Sequence, residues 1–246
     1  MTIAEKITRA KADYDAVYEA GKQAGGGDNY YDTFWDLYLQ NGERTKFDYA
    51  FAGAGWTDDT FKPNRNISVV SSSYMFHSSK IKNLKALTET LGIVIDFSKC
   101  TGFTYTFGAC EITDIGIVDV RSSVGSIQYF AYNNKMLVNF EKLIINENTA
   151  FSKTAFQGTD KLEEIRIEGT LGTNGFDVHW STKLSKASIT SIINCLSTTT
   201  SGLSITLAKT AVNNAFETAD GLADGSNSEE WLALIATRQN WTITLA

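Results

Sequence analysis

The sequence predicts a mixed α/β solenoid: short strands stacked into a parallel sheet, with a helix before them and a helical cap after them. Three observations carry that expectation. Phenylalanine recurs at Phe76, Phe107, Phe130 and Phe156, with intervals of 31, 23 and 26 residues. Each ring is followed by about five polar or small residues and then an apolar position, Ile81, Ile112, Met136 or Leu162. Strand-like runs accompany them at residues 93–97, 115–120, 143–146 and 165–168. A unit this small cannot bury its apolar side alone, whereas stacked units share one continuous core.

The elements follow in order. Ile3, Ile7, Ala10, Tyr14 and Val17 alternate spacings of four and three, a heptad seam on a helix that Thr2 and Glu5 cap. That seam either docks on its own chain or ties two copies together, and Gly25-Gly26-Gly27 ends it in a joint. Residues 28–66 are rich in aromatics, and Tyr31, Phe34, Trp35 and Tyr38 form the stripe of a short amphipathic helix, read as a hydrophobic cap. Repeats occupy residues 67–182. From 183 the style changes: Ser185 caps a helix whose face is Ile189, Ile192, Ile193 and Leu196. Residues 203–207 alternate as a strand, Trp231, Leu234 and Ile235 mark a further helix, and residues 241–245 close as a second alternating strand.

Composition narrows the function. Of 246 residues, 22 are basic and 28 acidic, giving a net charge of −6. Without a basic stripe, nucleic acid is not an expected partner. The apolar runs are about five residues long, far below the roughly twenty that span a bilayer, so no membrane insertion is expected. The N-terminal residues have no apolar core of a secretory signal. Three cysteines (Cys100, Cys110, Cys195) and two histidines (His77, His179), with no CxxC, predict neither a disulfide framework nor a metal site, and no cofactor.

Residues 153–167, Lys-Thr-Ala-Phe-Gln-Gly-Thr-Asp-Lys-Leu-Glu-Glu-Ile-Arg-Ile, resemble the BspA-like leucine-rich repeat. Its unit has an Ala-Phe pair, a Gly-Cys or similar pair, a leucine and an Ile-x-Ile strand. Residues 105–110 look like a second copy, with Cys110 at the position that family places inside the coil. The proline that follows the family's strand is missing. The segments 34–38, 53–62 and 184–193 are similar to phage and prophage proteins of gut bacteria that are encoded near tail genes. These resemblances imply a leucine-rich-repeat-type solenoid in a virion protein of tail, fibre or baseplate. Its partners would be other virion proteins, or a host surface protein or glycan. The alternative is a BspA-like adhesion protein of the bacterial surface; cytoplasm of a lysogen is a further location.

Enzymatic chemistry is not expected. His77 and His179 lie in no nucleophile elbow, and the adjacent acidic pairs cannot span a sugar as two glycosidase carboxylates must. Gly169, Gly172 and Gly175 read as a loop rather than a phosphate cradle. Asp96, Asp119, Asn146 and Glu168 lie in the strand runs at intervals of 23, 27 and 22; stacked, they would form an acidic column for a cation or a basic partner, and otherwise a solvated polar face.

Overall fold

A computed structural model describes residues 2–24, 30–216 and 228–246 as a mixed α/β fold with several short parallel sheets and few helices. Among the described residues no sheet closes into a barrel. In chain order the elements are α1 (Ile3–Ala24), α2 (Tyr30–Tyr38), β1 (Ile67–Ser68), α3 (Leu84–Leu91), β2 (Ile95–Asp96), β3 (Asp114–Asp119), β4 (Ser126–Ile127), β5 (Asn139–Ile144) and β6 (Ala150–Phe151). They continue with β7 (Glu164–Glu168), β8 (Asp177–Val178), α4 (Lys186–Cys195), β9 (Leu203–Leu207), α5 (Lys209–Ala215), α6 (Glu229–Ala236) and β10 (Trp241–Leu245).

Local chemistry fixes the helix ends. Thr2 N–H donates to Glu5 at 2.6 Å and Glu5 N–H returns a bond to Thr2 Oγ1, the capping box that the sequence predicts. Ser185 and Ser228 accept from the third residues of α4 and α6. Helix α3 is not foreseen by the repeat pattern; Asn83 caps it by accepting from Ala86, and Gly92, at φ 64°, ends it in the left-handed conformation.

Among the described residues every strand pair is parallel: β1 with β2, β3 with β5 and β5 with β7, β4 with β6, and β8 with β9 and β9 with β10. A second ladder joins the turns. Phe51 N–H donates to Met75 O, Phe76 to Thr106 O, Phe107 to Phe130 O and Ala131 to Ala155 O, each at 2.8–2.9 Å. These bonds align Phe51, Phe76, Phe107, Ala131 and Phe156 in one column, at intervals of 25, 31, 24 and 25 residues. The longest interval is the one that contains α3.

That register corrects the phenylalanine alignment. Ala131, not Phe130, holds the ladder position; the Phe130 ring enters the core from one residue earlier and meets Phe107 edge-on, at 5.3 Å and 82°. Phe76 and Phe107, in true register, stack at 5.6 Å and 6°. Met136 is 40% exposed while Leu137 is fully buried, and Ile117 is 51% exposed while Val118 is buried. The ladder also begins before residue 67, since Phe47, Tyr49, Phe51 and Gly53 already donate to the next turn.

One hydrophobic core runs from Phe34 to Trp241. The N-terminal aromatics belong to it: Phe34, Trp35 and Tyr38 are buried, with Trp35 edge-on to Phe61 at 5.9 Å, while the Tyr31 side chain lies outside the described residues. A column of small polar groups lines the opposite side of the turns, where Cys110 Sγ and Thr159 Oγ1 each donate to the carbonyl three residues back. Asn134 bridges to Cys110 Sγ at 3.2 Å, and Thr159 to Ser181 at 2.9 Å. Gly169 and Gly175 sit at φ 108° and 99°, where a Cβ would lie 2.1 Å from Ile145 O and 2.0 Å from Phe151 O. Only glycine lets these backbones approach so closely.

Candidate binding surface

The sheet β3-β5-β7 presents one face to the core and one outward. Ile115, Phe140 and Ile165 share a level of the inner face, and Val118, Leu143 and Ile167 share the next. Two residues separate these levels in β3 and β5, but one in β7, so the register shifts between Phe140 and Leu143. This bulge, shared by β3 and β5, turns Ile117 outward.

Helices bracket the outer face. At the β3 edge, α3 places Lys85 3.4 Å from Glu141 and 3.9 Å from Glu89. At the β7 edge, α4 stands where another strand would pair, and its serines satisfy the strand. Ile165 N–H donates to Ser188 Oγ at 2.9 Å and Ile167 N–H to Ser191 Oγ at 2.8 Å. Between β5, β7 and α4 lies a trough of about 880 Å³, lined by Asn139, Glu141, Glu164, Arg166, Ser191 and Asn194 among others. An apolar cleft of about 240 Å³ lies between α3 and β3, and Glu141 borders both.

The charges on this face are mostly engaged. Lys142 pairs with Glu168 at 2.8 Å, which lowers the Glu168 pKa; Lys186 pairs with Glu230 at 2.5 Å. Glu164 accepts from Ser185 and Ser188 at 2.9 and 3.1 Å. The Arg166 side chain, exposed and in the trough, makes no hydrogen bond or ion pair among the described residues.

The four residues of the anticipated acidic column do not fall on one line. Asp119 and Glu168 share a level, with Ile144 between them. Asn146 lies two residues past that level, and Asp96 pairs with Ser68 in another sheet. Their chemistry is local. Asp96 accepts from Ser98 N–H at 2.8 Å, Asp119 from Arg121 N–H at 3.0 Å, and Asn146 from Asn148 N–H at 2.9 Å. Asp177 repeats this with His179 N–H at 3.1 Å. Each accepts from the N–H two residues on, an Asx turn, which at Asp96 and Asp119 falls on the last residue of the strand. Burial disfavours the charge on Asp119, but the Arg121 fork, at 2.7 Å from Oδ2, outweighs it and lowers the pKa overall.

The histidines are similarly placed. His179 Nδ1 meets Asp177 at 2.6 Å, and His77 Nδ1 meets Ser78 Oγ at 3.0 Å. Among the described residues no group of three or more His, Cys, Asp or Glu could hold a metal ion. The three thiols are free and buried, and burial pushes those of Cys110 and Cys195 up to about 12.

A second surface feature escapes sequence reasoning. Tyr49, Tyr74, Tyr105 and Tyr129 stack face to face at 4.7, 4.8 and 4.5 Å, within 17° of parallel. All four take positive φ, 53–60°, because each sits at the corner of an aligned turn. The signal was the tyrosine two residues before the ladder position, obscured at Tyr129 by the one-residue slip. Burial, then the neighbouring phenols, raise the pKa of Tyr74 and Tyr105.

Helix α1 packs on α2 and reaches the first tyrosine of this column, with Lys6 Nζ 5.3 Å from the Tyr49 ring centre. Of the heptad residues, Val17 packs half-buried on the chain's own core beside Tyr18, whose ring meets Phe34 at 6.1 Å. The side chains of Ile3, Ile7, Ala10 and Tyr14, like the Gly25-Gly26-Gly27 joint, lie outside the described residues. No described helix is long and apolar enough to cross a membrane.

Comparison with protein-family models, curated protein sequences and solved structures returns no match.

Proposed function

We propose that the chain is a leucine-rich-repeat-type solenoid serving as a non-enzymatic virion component, of tail, fibre or baseplate, that binds its partner through the face between α3 and α4. Support for the architecture is the parallel ladder repeating every 24–31 residues, and the burial of Phe156, Leu162, Ile165 and Ile167, the residues of the BspA-like motif. The observation that carries the binding role is Arg166. A guanidinium that makes no hydrogen bond or ion pair among the described residues, lining a trough of about 880 Å³, suits a carboxylate-bearing protein or glycan surface. The virion assignment rests on the resemblance of residues 34–38, 53–62 and 184–193 to phage proteins.

Gradient-purified phage particles analysed by mass spectrometry should contain the chain in stoichiometric amount, and Arg166→Glu should lower adsorption to host cells or incorporation into particles. Absence from particles, with the protein found on the bacterial surface instead, favours the BspA-like adhesion reading, which the same repeat residues support. An Arg166→Glu chain that assembles and adsorbs normally removes the trough from the binding role.

A further inference from the structure

We propose that the outer edge of β10 is a docking strand for a second copy of this chain, joined antiparallel about a two-fold axis through Ile243. The proposal is independent of the virion reading.

Strand β10 ends its sheet, in the order β10-β9-β8, and among the described residues pairs only with β9. Backbone parity says which groups remain. Asn240 O accepts from Gly202, and Ala246 both donates to Leu207 O and accepts from Lys209, so the even residues face β9. The odd residues, Trp241, Ile243 and Leu245, therefore aim their N–H and C=O groups away from it. Trp241 N–H is taken by Arg238 O at 3.0 Å. The two groups of Ile243, the two of Leu245 and the carbonyl of Trp241 have no partner among the described residues.

The strand carries none of the devices that keep edges apart: no lysine, no proline and no bulge interrupts Trp-Thr-Ile-Thr-Leu. It is also symmetric about Ile243. An antiparallel copy centred there sets Ile243 opposite its own counterpart as a pair exchanging two hydrogen bonds, and sets Thr242 opposite Thr244 on both sides. Leu245 N–H then meets the free Trp241 carbonyl of the other copy, twice. These four bonds use only unpaired groups; the Trp241 N–H that would complete each outer pair stays with Arg238 O, which leaves the Leu245 carbonyl to solvent. Side chains agree with the backbone: Thr242 and Thr244 are exposed on one face, a favourable cross-strand pair, while Ile243 and Leu245 are half-buried on the other. On that apolar side a cleft of about 410 Å³, lined by Leu232, Ile235 and Ile243, opens beside the edge, and Leu232 is 45% exposed. A two-fold partner extends the three-stranded sheet to six strands and covers this cleft with its own equivalent residues.

Sedimentation of the full chain from about 1 to about 100 μM, where a modest interface is populated, should show a monomer–dimer equilibrium. Thr242→Lys with Thr244→Lys sets lysine against lysine at both flanking pairs and should leave a monomer with unchanged melting, since both side chains face solvent. Thr242→Glu with Thr244→Glu should do the same, and mixing the two variants should restore a dimer of one each. Hydrogen exchange provides a readout without mutation: the Ile243 and Leu245 amides should become protected as concentration rises. A wild-type monomer throughout, a double-lysine variant that dimerises as wild type, or amides at these positions whose exchange ignores concentration would each overturn the proposal.

Discussion

The two ends of the parallel ladder meet the same physical demand in opposite ways. At the N-terminal end, Trp35, Phe51, Trp56 and Phe61 close over the last turn in a mesh of edge-on and tilted contacts at 4.9–6.4 Å, and every one of those rings is buried. At the C-terminal end, Trp231 and Trp241 are buried, but Leu232 is exposed and Ile235, Ile243 and Leu245 are only partly covered beside an unpaired strand edge. An end sealed by aromatic bulk is finished within the chain. An end closed by one alternating strand leaves backbone donors and acceptors in place, so it remains a template for further pairing.

The largest expected effect lies at the sealed end. Trp35→Ala removes the centre of the mesh and should cost about 3–5 kcal/mol in denaturant melts, as buried aromatics do. A milder loss would mean that the cap is peripheral. Trp35→Phe is a sharper probe: Trp35 Nε1 is buried without an acceptor, so losing that donor offsets part of the lost volume and the cost should be well below that of alanine.

Between the ends, Gly175→Ala forces a Cβ against Phe151 O at a positive φ, and should cost about 2–3 kcal/mol by strain. A neutral result would show that the two backbones are free to part. At the open end, Ile243→Ala should cost the monomer only about 1 kcal/mol, because its side chain is half-buried and little cavity is left. Equal losses for Trp35→Ala and Ile243→Ala would erase the contrast between the ends.

Acid loads the middle of the ladder. Burial holds the His77 imidazole below its ordinary value, so the unfolded chain binds the proton more readily. Its contribution is complete above the unfolded value of about 6.5 and is lost as pH falls from there through the lower folded value. His77→Gln should flatten that part of the stability–pH curve, and an unchanged slope would assign it to another group. The smallest signal is kinetic. Both Cys110 and Cys195 should react slowly with a thiol reagent, but Cys195, at the end of α4 toward the open side, should label first if that end opens locally more often. Equal rates would mean that the ends open together.

What could be read in advance was whatever short-range spacing encodes. The Ser185 cap and apolar face of α4, strands β9 and β10, the capping box of α1 and the burial of Phe34, Trp35 and Tyr38 on α2 all follow from periods and caps within about ten residues. Helix α3 is equally local, bracketed by Asn83 and Gly92, but it lies inside the span read as repeats.

The amino-acid sequence by itself determined the mixed, parallel α/β character and most of the apolar residues that fill the core. The tertiary structure decided the register, and with it what each exposed residue does. Sliding one turn by a single residue put Ala131 where Phe130 was expected, exposed Met136 and lined up Tyr129 with three other tyrosines. The bulge shared by β3 and β5 sent Ile117 outward and left Asp119 level with Glu168 but not with Asn146. The physical reason is that side chains alternate every residue along a strand, while hydrogen bonds between turns about 25 residues apart set which residues stand level. No local pattern records those bonds, nor whether an edge that they create finds a partner.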